Sequence, residues 1–269
     1  MSDNMRDSIL LDRDGSIATL TLNRPASLNA LDLTMTDALV AHSAMLASDE
    51  TLRCVVIRGA GSHFMAGGDI RSFAEQLVLG GAERQLHFTR MVGRVHAAIE
   101  NLQRMPHVTI ASVHGAVAGF GMSLMCACDL AVAADSSYFT SAYRHLALTP
   151  DGGASYTLPR LVGMKRAMEI LLLGERFGAE EALRIGLINR VVARDALQDE
   201  TRKLAGAVAS GPRIALRNVK RLLNQSLSQS LSVQLEAEAS SFGACAATAD
   251  FAEGIRAFID KRSPDFGRD

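Results

Sequence analysis

Two glycine-containing segments are the first residues whose types and spacing could do chemistry. The pair Gly67–Gly68 lies in Phe-Met-Ala-Gly-Gly-Asp-Ile (64–70), soon after an apolar run at Cys54–Arg58. Glycine has no side chain, so a backbone N–H at such a pair can approach a ligand oxygen closely. Taken alone, an ordinary turn before a helix is the better explanation of this pair.

The second segment, Val113–Leu124, carries glycines between an apolar strand pattern and an apolar helix pattern. Helix N-termini present unpaired N–H groups and the positive end of a dipole, which suits an oxygen that gains negative charge. A dinucleotide-binding loop does not fit, because Leu124 stands where its third glycine or alanine belongs and the matching acid is missing. A nucleophile elbow does not fit either, since Met125 replaces the closing glycine.

Three side chains with acid–base or nucleophilic chemistry are candidates to act beside these segments. Asp151 stands in Pro-Asp-Gly-Gly between apolar neighbours, and an apolar lining would raise the pKa of its carboxyl, although Pro-Asp-Gly is also an ordinary turn sequence. His96 lies on a predicted helix beside Val95 and Ile99, where a histidine is more often structural. Ser123 with His96 and Asp151 could form a hydrolytic triad, but a serine near a helix N-terminus is more commonly a cap.

Alternating strand and helix patterns must position these residues. Strands are predicted for short apolar or β-branched runs at Ile17–Asn23, Cys54–Arg58, Val108–Val113, Leu130–Ala133 and Ile188–Val192. Helices are predicted between them, at Leu33–Ala47, Arg84–Gln103, Met164–Leu173 and Ala179–Ile185. This alternation predicts an α/β core with buried strands over residues 1–195.

A helical tail is predicted over residues 196–269. Its helical patterns are Ala196–Ala209, Pro212–Ser226, Ser232–Ser241 and Asp250–Arg262. Its apolar residues could close a core of their own or pack on another subunit. Arg213, Arg217, Lys220 and Arg221 share one helix face, which is expected to be solvated.

Composition and charge bound the class of protein. The 269 residues are 48% apolar, which allows a large buried core. The net charge of −1 shows no overall excess of positive charge of the kind that binds nucleic acid or an anionic membrane. The uncharged stretch 108–128 is long enough to span a bilayer, but its glycines favour a buried strand, a turn and a buried helix. The polar N-terminus has no signal-peptide pattern, so a cytoplasmic location is expected.

Cysteine and histidine usage predicts neither disulfides nor a metal. The four cysteines do not make a disulfide framework in a chain of this size. No ligand spacing connects the histidines near the two glycine segments, so no metal is expected.

The motifs, taken in order, resemble the crotonase (enoyl-CoA hydratase/isomerase) superfamily. Its two signature segments are similar to residues 64–70 and to His-Gly-Ala-Val-Ala-Gly-Phe-Gly-Met-Ser-Leu at 114–124. Its coenzyme A segment, its later active-site loop and its C-terminal end are similar to residues 23–31, 149–153 and 258–262. This resemblance implies an α/β fold whose crotonase-like core of repeated ββα units precedes a C-terminal helical trimerisation region.

The resemblance also implies roles for residues by position. The backbone N–H groups of Gly68 and Phe120 would form an oxyanion hole for a thioester enolate. Phe120 replaces a glycine common at that position, which leaves the N–H available and narrows the space beside it. Coenzyme A would be part of the substrate, and no separate cofactor is expected. The acyl-CoA is expected to contact Ala26, Ser27, Leu28, Ala66, Gly67, Asp69, Ile70, Gly119, Phe258 and Lys261.

This sequence departs from the family pattern at two positions. Hydratases of the family use two glutamates, and those positions read Ser123 and Tyr143 here. Related isomerases carry an aspartate in the loop that contains Asp151, and one carboxylate can suffice to move a proton from the α to the γ carbon of an enolate. The sequence therefore predicts an enoyl-CoA double-bond isomerase with Asp151 as proton shuttle.

Other functions stay open at this point. His96 with Asp151 resembles the histidine and aspartate of an aryl-CoA dehalogenase, in which Tyr143 would replace a tryptophan. An enoyl-CoA hydratase, an acyl-CoA thioesterase that uses Ser123, and an acyl-CoA binder without turnover are the further alternatives. The resemblance also implies a homotrimer or a dimer of trimers, while the identity of the acyl group has no sequence signal.

Overall fold

The structure, a computed structural model, describes residues 8–267. Its strands are β1 (Ile9–Asp14), β2 (Ile17–Leu22), β3 (Cys54–Gly59), β4 (Val108–Val113), β5 (Ala116–Ala118), β6 (Leu130–Ala134), β7 (Tyr138–Thr140), β8 (Phe177–Gly178) and β9 (Arg190–Val192). Its α-helices are α1 (Leu33–Ser48), α2 (Ile70–Glu75), α3 (Gly81–Arg104), α4 (Phe120–Cys126), α5 (Ala154–Val162), α6 (Met164–Leu173), α7 (Ala179–Arg184), α8 (Leu197–Ala209), α9 (Arg213–Ser226), α10 (Leu231–Ala246) and α11 (Ala249–Ile259).

The main sheet has six strands in the order β1-β2-β3-β4-β6-β9. The β1–β2 pair is antiparallel, and every later pair in this sheet is parallel. A smaller sheet has the order β5-β7-β8. Strands β4 and β5, like β6 and β7, are consecutive in the chain and belong to different sheets, and a helix follows each pair. The chain thus repeats a ββα unit, which confirms the predicted fold class.

Both faces of the main sheet are covered. On one face, Leu20, Val55 and Ile57 share a core with residues of α1 and α3. On the other face, Cys54, Val56 and Ile110 pack against the α8 residues Ala205, Leu204 and Val208. Strands buried on both faces are typical of parallel sheets and explain why their sequences are apolar without alternation.

The tail begins as part of the core. Helix α8 covers one face of the main sheet. The α/β core therefore includes this helix, which ends at Ala209. The division at residue 195 stays a prediction. Beyond β9 the described residues contain helices and no strand, as expected.

The basic face of α9 is not uniformly solvated. Lys220 is 8% exposed, and its Nζ lies 2.7 Å from Asp129 Oδ2. The same ammonium donates to the backbone oxygens of His107 and Leu102. The expectation of a solvated face was therefore wrong for Lys220, because helical spacing alone does not reveal a buried partner on another element.

Several elements escaped sequence reasoning. Strand β1 lies at the edge of the sheet, and only its first residue, Ile9, is buried, so it has no alternation of buried and exposed positions. The strands β5, β7 and β8 have two or three residues each, too short for a periodicity. The stretch 108–128 does form a buried strand and a buried helix, with β5 between them. Within residues 8–267, no helix is long and apolar enough to cross a membrane.

Candidate active site

A cavity of about 540 Å³ lies where the two glycine segments meet α3 and the loop before α5. The glycine segments contribute Ala66, Gly67, Gly68, Gly119 and Phe120 to its lining. Apolar walls come from Leu31, Ile70, Phe73, Phe88, Met91, Val92, Val95, Leu146 and Leu148. A concave apolar site with a few convergent polar groups is the usual form of a small-molecule site.

Backbone pairing holds the two glycine segments together. Met65 N–H donates to Ala116 O at 3.0 Å, and Ala118 N–H donates to Met65 O at 2.9 Å. Gly67 has a φ of 100°, and a Cβ added there would lie 3.3 Å from Ala118 O and 3.7 Å from Phe120 N. Only glycine therefore fits this close approach of the two segments.

Two backbone N–H groups at this junction are free to bind a ligand. Gly68 and Phe120 both line the cavity, and no hydrogen bond among the described residues uses either N–H. Phe120 is the first residue of α4, so its N–H has no partner within the helix. Two such donors can stabilise an oxygen that gains negative charge, which is the role that the family resemblance implies for them.

Aromatic rings flank these donors. A Cβ on Gly68 would lie 2.6 Å from Phe73 Cζ, so the Phe73 ring packs directly against Gly68. Phe73 meets Phe88 edge-on, with ring centroids 4.9 Å apart. The Phe120 side chain is 2% exposed and packs against Gly152, so the ring belongs largely to the core. Sequence reasoning missed Phe73 and Phe88, whose only signal was the apolar pattern of their helices.

Asp151 is held at the cavity by a tyrosine. Tyr143 Oη donates to Asp151 Oδ1 at 2.5 Å. Burial raises the pKa of Asp151 above its ordinary value, against the opposing effect of the Tyr143 hydrogen bond. Burial and the neighbouring Asp151 carboxylate raise the pKa of Tyr143. Tyr143 therefore acts as a neutral donor to a carboxylate that binds protons more readily than usual.

Ser123, His96 and Asp151 are brought together, but not as a hydrolytic triad. Ser123 is fully buried, and its Oγ donates to the backbone oxygen of Asp151 at 2.9 Å and lies 3.1 Å from Tyr143 Oη. His96 Nε2 accepts from Gly152 N–H at 3.2 Å. Among the described hydrogen bonds none joins Ser123 to His96, so the triad expectation fails on geometry: a nucleophile needs the base beside it and access to the cavity.

The predicted coenzyme A segment adjoins the cavity. Ala26 and Ser27 belong to a short 3₁₀ helix, and Leu28 O accepts from Ala66 N–H at 3.1 Å. Asn29 fixes this segment, because its buried Nδ2 donates to the backbone oxygens of Ala60, His63 and Phe64. Sequence reasoning missed Asn29.

The remaining predicted contact residues divide into two groups. Ile70 lines the cavity, like Ala66 and Gly67. Asp69 does not: its carboxylate pairs with Arg24 at 2.9 Å and accepts from Arg71 N–H at the start of α2. Phe258, which is 84% exposed, and Lys261 lie at the end of the tail and do not line the cavity of this chain. Their contact with coenzyme A stays a prediction.

Comparisons with known proteins identify the family of this chain. Residues 12–269 match the enoyl-CoA hydratase/isomerase family model. A 1,2-epoxyphenylacetyl-CoA isomerase of Escherichia coli is 33% identical over 97% of this chain and 99% of its own. A crotonyl-CoA hydratase of Syntrophomonas wolfei is 34% identical over 97% of this chain and 98% of its own. The crystal structure of an enoyl-CoA hydratase from Bacillus anthracis superposes with a TM-score of 0.89 at 29% identity, covering 96% of this chain and 98% of the other.

The fold and the cavity thus define a protein of the crotonase superfamily. The chain belongs to the enoyl-CoA hydratase/isomerase family, whose members are acyl-CoA enzymes.

Proposed function

We propose that this enzyme isomerises the double bond of an enoyl-CoA, with Asp151 as the proton shuttle. One observation carries the proposal: Asp151 is the single carboxylate among the described residues that line the cavity. Adding water across a double bond needs activation of the water and protonation of the neighbouring carbon, which two carboxylates share in hydratases of the family. A reaction with one base fits one carboxylate better.

The geometry suits the steps of such a reaction. The thioester oxygen accepts hydrogen bonds from the N–H groups of Gly68 and Phe120. The Asp151 carboxylate removes a proton from the α carbon, and the electron pair moves into a dienolate held by the two donors. The protonated Asp151 then returns the proton to the γ carbon, so the double bond moves and no water is consumed. Each donor of this kind is worth about 3 kcal/mol in the transition state.

The surroundings of Asp151 support this role. Its pKa is raised by burial, which brings a carboxyl closer to the range in which it can both take and return a proton. The hydrogen bond from Tyr143 opposes that shift and fixes Oδ1, which leaves Oδ2 as the oxygen to meet the substrate. The side chains Ser123 and Tyr143, at the positions of the family's glutamates, thereby serve the remaining carboxylate.

Relatives carry both isomerase and hydratase names. Hydratase names are the more frequent, and the isomerase is named for an epoxide and not for an enoyl substrate. The Escherichia coli relative is named an isomerase, and the Syntrophomonas wolfei relative a hydratase. Hydration is therefore the first alternative. Dehalogenase-like chemistry is favoured by one contact, since His96 lies beside the Asp151 loop. Thioester hydrolysis through Ser123 is disfavoured by its burial.

A panel of acyl-CoA thioesters separates these reactions. The enzyme is incubated with 3-enoyl-, 2-enoyl-, dienoyl- and aryl-CoA thioesters, and products are followed by liquid chromatography with mass spectrometry. Isomerisation gives a new retention time at unchanged mass, hydration adds the mass of water, and hydrolysis releases free coenzyme A. Dehalogenation of a halogenated aryl-CoA replaces the mass of the halogen by that of a hydroxyl group. We expect the first result with a 3-enoyl-CoA. Binding without any product would leave only the non-catalytic alternative.

We also propose that the tail binds other copies of the chain, as a trimer or a dimer of trimers. Large apolar side chains of α9 to α11 are exposed in the single chain, among them Leu223, Leu227, Leu231, Leu235 and Phe242. Exposed apolar surface of this extent is typical of subunit interfaces. Light scattering at micromolar concentration tests this, and a monomer would exclude it. The cytoplasmic location expected from the sequence stays a prediction, and cell fractionation would test it.

A further inference from the structure

We infer that Ser123 and His96 form a clamp on the Asp151–Gly152 peptide and thereby act as positioning residues for the Asp151 carboxylate. The inference rests on the proposed function of Asp151. It gives a joint role to the two side chains that the sequence offered as members of an alternative hydrolytic triad.

The two contacts meet at one peptide group. Ser123 Oγ donates to Asp151 O at 2.9 Å, and His96 Nε2 accepts from Gly152 N–H at 3.2 Å. The carbonyl of Asp151 and the N–H of Gly152 belong to the same planar peptide unit. Ser123 lies on α4 and His96 on α3, so two helices fix the orientation of that plane. Side chains from separate elements thus satisfy both polar groups of this peptide.

The peptide is also packed tightly against α4. Gly152 has a φ of 56°, and a Cβ added there would lie 2.8 Å from Ser123 Cβ and 2.9 Å from Phe120 Cδ2. The loop therefore rests directly on α4, against the ring of Phe120, the residue whose backbone N–H is one of the proposed donors. Fixing the plane fixes the direction in which the Asp151 side chain leaves the loop. The clamp thereby sets the position of the base relative to the oxyanion hole.

The contact also defines the state of His96. In this contact Nε2 is the acceptor of the Gly152 N–H, so this nitrogen carries no proton there. In that state Nε2 has no proton to give and its lone pair is engaged. His96 therefore acts through the peptide and not as an acid or base toward Ser123.

Two substitutions at His96 separate positioning from proton transfer. His96→Leu removes the acceptor, while His96→Gln offers an amide oxygen to Gly152 N–H. The readouts are the amide hydrogen-exchange rate of Gly152 by NMR, kcat with the active thioester, and the Kd of a saturated acyl-CoA. For His96→Leu we expect exchange to rise about tenfold, the equivalent of one lost hydrogen bond. We expect kcat to fall about 10- to 100-fold, as for a displaced catalytic group.

The variants His96→Gln and Ser123→Ala, the latter of which tests the second side chain of the clamp, complete the experiment. His96→Gln should restore exchange and kcat to within about threefold of wild type, with Kd within about twofold throughout. Ser123→Ala should lower kcat by about tenfold without abolishing it, and the double variant should lose less than the product of the singles, because both side chains act on one peptide. Ser112→Ala, which removes an equally buried hydroxyl bonded to Thr201 Oγ1, should leave all readouts unchanged.

The outcomes that overturn the inference are distinct from a failure of the proposed function. Equal loss of kcat in His96→Gln and His96→Leu would assign His96 a proton-transfer role instead. Unchanged exchange at Gly152 in His96→Leu would show that the histidine does not hold the peptide. If wild type turns over no thioester, the isomerase proposal fails, whereas the exchange rates still decide whether the clamp exists.

Discussion

The two sides of the cavity are held by different means. On the oxyanion side, backbone hydrogen bonds join Met65 to Ala116 and Ala118, and the ligand-facing groups are backbone N–H donors. On the Asp151 side, the reactive group is a side chain, fixed by Tyr143 directly and by Ser123 and His96 through its peptide. The first side needs glycines for close approach, and the second needs particular polar side chains.

This difference bears on how the reaction can change. A backbone oxyanion hole stabilises the same enolate whatever side chains surround it. The side-chain network determines which carbon of the enolate is protonated. Substitutions in this network can therefore change the product while the oxyanion hole stays intact. We therefore expect changes on the oxyanion side to lower turnover for every substrate, and changes on the Asp151 side to alter pH dependence and reaction type.

Gly67→Ala should have the largest effect on the oxyanion side. A φ of 100° is strained for alanine, and the new methyl group would press on Ala118 O beside Phe120 N. Displacing one donor should lower kcat by about 10² to 10³. Steady-state kinetics check this, with Gly206→Ala in α8 as the matched control, since its Cβ meets no atom within 4 Å. Equal kcat in the two variants would contradict a backbone oxyanion hole at this junction.

Tyr143→Phe should change pH dependence on the Asp151 side. The Tyr143 hydrogen bond lowers the pKa of Asp151, so its loss lets burial raise that pKa further. Because the base works as a carboxylate, the acid limb of the kcat–pH profile should move to higher pH. Turnover below that limb should fall by about tenfold, the range of one hydrogen bond to a charged group, and recover at alkaline pH.

The control for this prediction is Tyr156→Phe, an exposed tyrosine that stacks with Arg160. Its kcat–pH profile should match that of wild type. A Tyr143→Phe profile with an unmoved acid limb would show that Tyr143 does not set the protonation of the base.

Lys220→Met should have the smallest effect on turnover and a large one on stability. Removing the ammonium leaves Asp129 partly buried without its ion-pair partner and breaks the link between α9 and the core. The free energy of unfolding should fall by about 3–5 kcal/mol, measured by urea denaturation. Activity per folded molecule should stay unchanged, which would separate site effects from general destabilisation. A lower activity per folded molecule would contradict this prediction and show that the position of α9 affects the active site.

The same contrast explains what the sequence could reveal. Gly67, Gly68 and the glycines near Phe120 carry their information locally, because a close backbone approach restricts the residue at that position. The longer strands after β1 and most of the long helices were likewise predicted within about five residues, whereas α5 was not predicted. Such features depend on local pattern, and the sequence displays them directly.

The contacts of side chains from distant elements could not be predicted in the same way. Ser123 and His96 were singled out by type, yet their convergence on the Asp151–Gly152 peptide depends on how α3 and α4 pack. Phe73 and Phe88 line the cavity because of how their helices, α2 and α3, pack, which the sequence does not show. The helical spacing of Lys220 suggested a solvent-exposed face, whereas in the structure its ammonium pairs with Asp129. In each case tertiary packing supplied the information.

Asp151→Asn keeps the shape of the side chain and removes the base. Its fold can be checked through stability, because burial raises the pKa of Asp151 and the folded state therefore holds that proton more tightly than the unfolded chain. The stability linked to this proton is present at acid pH and lost as the pH rises through the raised pKa. At neutral pH the Asn variant should thus be at least as stable as wild type by thermal unfolding.

The most direct test of the isomerase account is the kcat of Asp151→Asn with a 3-enoyl-CoA, measured beside the Kd of a saturated acyl-CoA. We predict that kcat falls by about 10² to 10⁴, the range for loss of general base catalysis, while Kd changes by less than about twofold. Full turnover in Asp151→Asn would contradict the assignment of Asp151 as the proton shuttle.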